Sequence, residues 1–262
     1  MASQFSITNT GTFDVLAGSN VLGKPFSASP IPPTGVVASS LLVHLDAGNP
    51  TSYPGTGTTW YNLVAGGLYD GTLTHNLFEV PTFVDSGSAS YFQFTNGASA
   101  SKSQTVNISS SLSLQTDFSL EIWVRYGEST EHALFGQGVK TANNGLHVSD
   151  SNFNNIAFNM YSNDYSVSST LTLNVWRQVV LTYSNTSPYT KTIYRNGSKL
   201  GNSTTGQSAY TGTGTFRIGN HFSSGNGYTT NKRISVVRIY NKVLSDAEVL
   251  QNYNANKSRY GL

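Results

Sequence analysis

The sequence predicts an all-β protein, and three observations carry that expectation. Short runs alternate apolar and polar residues with period two, which places one side of a strand on a core. Turn formers punctuate those runs: the chain holds 25 Gly, and Asn196-Gly197 separates two of the runs as a type I′ hairpin turn requires. Helical spacing with a clear start signal is confined to one short stretch near the end, after a capping sequence. The 262 residues suit one large β domain with an extension, or two small domains. A chain of that length can bury a sizeable core without disulfides.

The first clear strand is LLVHLD, where Leu41, Val43 and Leu45 face one way and Leu42, His44 and Asp46 the other. It breaks at Gly48-Asn49-Pro50, and a Gly-rich loop anchored by Tyr53, Trp60 and Leu63 follows. Tyr91 to Phe94 alternates and stops before Asn96-Gly97. In DFSLEIWVRY, Phe118, Leu120, Ile122 and Val124 oppose Ser119, Glu121, Trp123 and Arg125. Glu121 and Trp123 share a face, an arrangement that suits either a sugar site or a covered core position. A Trp on a central strand favours the core.

Arg177, Val179, Leu181 and Tyr183 alternate with Trp176, Gln178, Val180 and Thr182, and Phe216 with Ile218 marks a further strand. In ISVVRIY, Ile234, Val236, Arg238 and Tyr240 lie on one face. Ser245-Asp246-Ala247-Glu248 is a capping box, in which serine and glutamate satisfy each other's free backbone amides. It opens a helix of roughly ten residues. Ala247, Leu250 and Tyr253 supply the stripe expected to dock it, and Gly261 closes the segment.

Residues 1–38 differ from the rest. They carry two charges, Asp14 and Lys24, and four of the eight prolines. Pro30, Pro32 and Pro33 make a stiff extended connector, since each fixes φ and removes a donor. Phe5, Ile7, Phe13 and Val15 call for burial in a segment too short to have its own core. Two readings fit: a strap on the surface of its own domain, or an arm that adds to a neighbouring subunit by strand pairing. The division expected is an arm and connector over 1–38 and one domain over 39–262.

Composition excludes several function classes. Charged residues are 11%, the net charge is +2 and no run of like charge occurs, so no phosphate-binding surface, and hence no nucleic-acid partner, is expected. There is no cysteine, and therefore no disulfide framework. The N-terminus lacks the basic start and apolar run of a signal peptide. No stretch reaches the roughly 20 apolar residues that span a bilayer, so no membrane partner is expected.

Catalysis finds no candidate, and the chain is expected not to be an enzyme. Sandwich glycosidases present a strand reading E-x-D-x-E or E-x-D-x-x-E, which brings carboxylates to the scissile bond, and no such set occurs among the 13 acids. His44, His75, His132, His147 and His221 show no metal-binding spacing. A nucleophile turn of the G-x-S-x-G type is absent. Cofactors are expected to be none. Asp46 is the one carboxylate worth weighing for Ca²⁺, against the commoner role of bonding loop amides.

Two loops suit recognition. Residues 160–165 offer Tyr161, Asn163, Asp164 and Tyr165; residues 221–228 offer His221, Phe222, Asn226 and Tyr228. Rings stack on sugar faces while amides and carboxylates bond hydroxyls, and the same residue types make protein contacts at low entropic cost. Solvated turns with their rings packed down as lids are the plain alternative.

Several motifs in order carry a family resemblance. They are Leu45-Asp46-Ala47, then S-Y-P-G-T-G-T-T-W over 52–60, G-T-L at 71–73, F-S-L-E-I-W-V at 118–124, WRQVVLTY, IYRNGSKL, FRIG, VRIYN and the ending QNYNANKSRYGL. Together they resemble laminin-G-like (concanavalin-A-like) modules, especially copies found in virion proteins of tailed and marine phages. The likeness runs from Leu41 to the end. It implies a two-sheet antiparallel jelly-roll sandwich with a short C-terminal helix. It implies a virion structural protein on the capsid or tail, a decoration or fibre-like component made in the host cytoplasm and displayed on the virion surface. Partners would be other virion proteins and further copies of the chain. The alternative is a carbohydrate-binding module for host-surface or environmental polysaccharide. Where relatives carry acids, commonly I-D-E-V, this chain has Ser235 and Val236, which weakens any cation site inferred by resemblance.

Overall fold

The computed structural model describes residues 35–64, 68–75, 79–95, 104–109, 111–151, 153–221 and 231–262. The arm residues Phe5, Ile7, Phe13 and Val15 lie outside the described residues. Among the described residues the strands form two antiparallel sheets stacked as a sandwich, with one short helix near the C-terminus. The all-β jelly-roll expectation holds.

Strands are numbered in chain order. The first sheet runs β14 (Ser198–Ser203), β13 (Thr190–Arg195), β12 (Trp176–Ser184), β7 (Phe118–Tyr126), β16 (Lys232–Tyr240), β5 (Tyr91–Phe94) and β4 (Thr82–Val84). On β16 it also carries β1 (Leu41–Asp46). The second runs β11 (Ser166–Ser168), β10 (Asn155–Met160), β9 (Leu146–Ser151), β8 (His132–Gln137), β15 (Phe216–Ile218), β6 (Gln104–Ile108), β3 (Gly71–His75) and β2 (Thr59–Trp60).

Strand β16 organises the first sheet. One edge pairs along its length with β7. The other edge is shared: Lys232 to Ile234 pair with β5, and Val236 to Tyr240 pair with β1. The handover is a bulge at Ser235, where the β7 register shifts between Ile234 and Val236. A bulge sets one extra residue against its partner and re-aims the strand. Ser235 uses the freed geometry: its hydroxyl donates to the Ser90 carbonyl at 2.6 Å, and its own carbonyl accepts from Ala47.

The core lies between the sheets. Leu120, Ile122 and Val124 of β7, with Val179 and Leu181 of β12, meet Val148, Ile156, Phe158 and Phe216 of the facing sheet, all fully buried. The alternation read for β7 and β12 therefore marks the inner face. On β16 and β1 the bulges break the expected faces: Ile234 joins Val237 and Ile239 in the core while Arg238 and Tyr240 turn outward, and Leu41 parts from Val43 and Leu45. Asn196 and Gly197 have φ of 51° and 75°, the two positive values of the expected I′ turn.

The helix α1 (Asp246–Asn256) starts at the capping box as expected: Ser245 Oγ accepts from the Glu248 amide, and the Glu248 carboxylate accepts from the Ser245 amide at 3.0 Å. Its docking face differs from the expected one. Val249, Asn252 and Asn256 are buried, while Ala247 is exposed and Leu250 is 46% exposed. Of the expected stripe only Tyr253 docks, half-buried with its ring stacked on Trp123 at 5.9 Å. The outer face of the first sheet holds a buried carboxylate and guanidinium, and these need amide partners more than an apolar stripe. A second apolar cluster of Val37, Val180, Tyr194, Tyr240, Leu244 and Val249 completes the contact. Val37 also donates its amide to Asn252 Oδ1 at 2.8 Å, so the last connector residues pack with the helix.

Candidate functional site

The loop over residues 160–165 is the turn between β10 and β11. Tyr161 and Ser162 adopt φ of 45° and 60°, and the turn closes with Met160 N–H to Asn163 C=O at 3.0 Å and Phe158 N–H to Tyr165 C=O at 2.7 Å. This left-handed pair sorts the side chains. Ser162 and Asp164 are exposed and Tyr161 is half-buried, with the Lys140 ammonium 5.7 Å from its ring centre. Asn163 points inward at 2% exposure; its amide nitrogen donates to the Ser208 carbonyl at 3.2 Å, and its oxygens accept from the buried Lys191. Tyr165 lies half-buried over Gly201, where a Cβ would stand 2.7 Å from the Tyr165 hydroxyl oxygen. Tyr161, Ser162 and Asp164 form the accessible part of this loop.

In the second loop, His221 is buried against β8, where a Cβ at Gly136 would sit 2.2 Å from the His221 carbonyl carbon. Its ring meets His147 edge-on at 5.8 Å, and burial first, then His147, pushes its pKa down to about 3. His221 is thus a packed residue. Phe222, Asn226 and Tyr228 lie outside the described residues.

The two carboxylates weighed for a site, Glu121 and Asp46, have taken other partners. Glu121 and Trp123 do share the outer face of the first sheet, and both are fully buried beneath α1 and the closing turn Lys257–Tyr260. Glu121 Oε1 accepts from Arg238 at 2.8 Å, Gln178 at 3.0 Å and Trp123 Nε1 at 3.2 Å, and Oε2 accepts from Asn252 at 2.7 Å. Tyr260 stacks on the Trp123 ring at 4.5 Å. Asp46, the carboxylate weighed for Ca²⁺, accepts two hydrogen bonds from Arg259 at 2.6 and 2.7 Å and one from the Gly48 amide at 2.9 Å. Arg259 also reaches the Ser235 hydroxyl at 3.2 Å. A guanidinium therefore occupies the place a cation would take. Among the described residues no three His, Cys, Asp or Glu side chains gather as a metal site.

One feature was not announced by the sequence. A cleft of about 200 Å³ opens beside β12, lined by Thr170, Thr172, Val175, Trp176, Arg177 and Arg195. Arg177 is held by Asp150 at 3.0 Å and by the carbonyls of Thr170 and Thr172. Arg195 donates to Ser169 Oγ at 2.9 Å. The sequence shows these arginines only as members of alternating strands, with no sign that a loop folds back over both.

Residues 87–250 match the concanavalin A-like lectin/glucanases superfamily. The chain belongs to that superfamily. Among solved structures, this lectin-like sandwich is similar to the botulinum neurotoxin type G receptor binding domain, at 16% identity and a TM-score of 0.58, over 82% of this chain and 51% of that one. A Trypanosoma rangeli sialidase mutant displaying trans-sialidase activity gives 16% identity and a TM-score of 0.62, over 87% and 34%. A botulinum neurotoxin DC binding domain in complex with SialylT gives 12% and 0.59, over 83% and 52%. The likeness is one of fold, and the chain spans a third to a half of those proteins' length. No curated protein matches the sequence.

Proposed function

We propose that the chain is a non-catalytic lectin-like display module, carried on a phage virion and presenting its loops to a glycan. The observation behind the non-catalytic part is the state of the carboxylates. Four of the 13 acids, Asp46, Glu121, Asp150 and Glu248, are each paired with a cationic side chain, and no strand carries an E-x-D-x-E set. Glycoside hydrolysis, by contrast, needs two carboxyl groups set about 5–9.5 Å apart across the scissile bond. The glycan reading draws support from the superfamily, from the neighbour in complex with SialylT, and from the exposed Ser162 and Asp164 beside Tyr161. The virion reading, with other virion proteins and further copies of the chain as partners, draws support from the ordered phage-type motifs and from the charge-poor arm. Two measurements test it. Mass spectrometry and immunolabelling of purified particles should find the chain on capsid or tail; its absence sinks the virion part. A polysaccharide panel should show saturable, sugar-competed binding without release of reducing ends, and turnover would overturn the non-catalytic part.

A further inference from the structure

Lys191 is the least expected side chain in the sandwich. It lies on the inner face of β13, two residues before the core residue Ile193, and has no exposed surface. Lysine is almost never fully buried unless paired with an acid, yet Lys191 is in none of the ion pairs among the described residues. Its ammonium group sits 5.3 Å from the centre of the Phe158 ring. Its polar contacts are both on Asn163: the backbone carbonyl, and the side-chain Oδ1 at 3.2 Å. Asn163 is itself 2% exposed, and its amide nitrogen is fixed on the Ser208 carbonyl. An amine and a carboxamide are therefore held together, away from water, on opposite sheets of the sandwich.

That juxtaposition is chemically productive. The Asn163 carbonyl carbon lies one bond behind Oδ1, within reach of a flexible lysine stem, and fixed proximity replaces a bimolecular encounter. Burial pulls the amine down to about 7, against the opposing field of Asp164, so a large fraction is the neutral nucleophile near neutral pH.

We infer that Lys191 and Asn163 are the two ends of a self-forming isopeptide crosslink that ties β13 to the β10–β11 turn. In the step, Lys191 Nζ attacks Asn163 Cγ and a C–N bond forms. The bond from Cγ to Nδ2 then breaks, and the proton lost by the amine leaves on the departing ammonia. The sum is amine plus carboxamide giving secondary amide plus ammonia, with no oxidant, reductant or cofactor. The product joins the two sheets covalently in a chain that has no cysteine to do so.

Intact-mass spectrometry of the full chain, kept folded at neutral pH and then denatured, tests this. The expected mass is the sequence mass less one ammonia, and digestion should give a branched peptide joining Lys191 to Asn163. Lys191→Arg and Asn163→Ala should each restore the full mass. A full-length mass for the folded wild-type protein overturns the inference. So does an ammonia loss that maps to a succinimide at an Asn-Gly step such as Asn196-Gly197, without the branched peptide. The wild-type measurement decides the matter even if a variant does not fold.

Discussion

Two buried ion pairs, one on each side of the first sheet, are built to different standards. On the outer face Glu121 accepts four hydrogen bonds, from Arg238, Gln178, Trp123 and Asn252. On the inner face Asp150 accepts from Arg177 at 3.0 Å, and the Tyr126 hydroxyl lends it only a lesser hydrogen bond. Burial raises Asp150 to about 6, with Arg177 only partly offsetting it. The lesson is that a guanidinium alone does not repay a carboxylate's lost hydration; the neutral donors around it decide. The outer site draws its neutral donors from β12, β7 and the helix, whereas the carbonyls of Thr170 and Thr172 at the inner site serve the guanidinium and not the carboxylate.

Breaking the outer pair should have the largest effect. Glu121→Gln leaves Arg238 buried without its counter-charge and should cost about 3–5 kcal/mol of stability, measured by urea unfolding. Asp150→Asn should cost less, about 1–3 kcal/mol, because near pH 6 the native group is already close to half protonated. Equal costs would erase the distinction between the faces.

Acid sharpens it further. Burial holds His132 and His221 down to about 3, so below their unfolded value they bind protons only when the chain unfolds. Each should remove about 1.4 kcal/mol per pH unit below about pH 6.5. Asp150 works in the opposite direction: its raised pKa means that acidification from about 6 to about 4 favours the folded chain. Denaturant midpoints should fall from pH 7 to pH 5, and fall more steeply in Asp150→Asn. An unchanged slope would remove Asp150 from the account. The smallest expected effect is that of EDTA: with Asp46 bound by Arg259, chelation should leave the melting temperature in place. A large loss restored by Ca²⁺ would contradict this.

The sequence revealed what depends on neighbours along the chain. Period-two spacing marked Leu120, Ile122 and Val124, Asn196-Gly197 marked the hairpin, and Ser245 with Glu248 marked the helix start. It did not reveal what depends on distant partners. Asn252 and Asn256 form the docking face because Glu121 and Arg238, on other elements, require them. Asp46 is matched by Arg259, 213 residues away. In the candidate loop, residue types alone nominated Asn163 and Asp164 equally. The positive φ at Tyr161 and Ser162 turns the first inward and the second outward, and neither residue type favours that conformation.

The bulge at Ser235 has a consequence for biosynthesis. Because β16 changes partners there, Val43 cannot pair until Ile239 exists, nearly a whole domain later in translation. Strands β1, β5 and β7 must therefore leave the ribosome without the neighbour that joins them, and the sheet completes itself in one late, non-local step. Until then the nascent chain exposes unpaired strand edges, which makes the interval before β16 emerges the period when chaperones matter most.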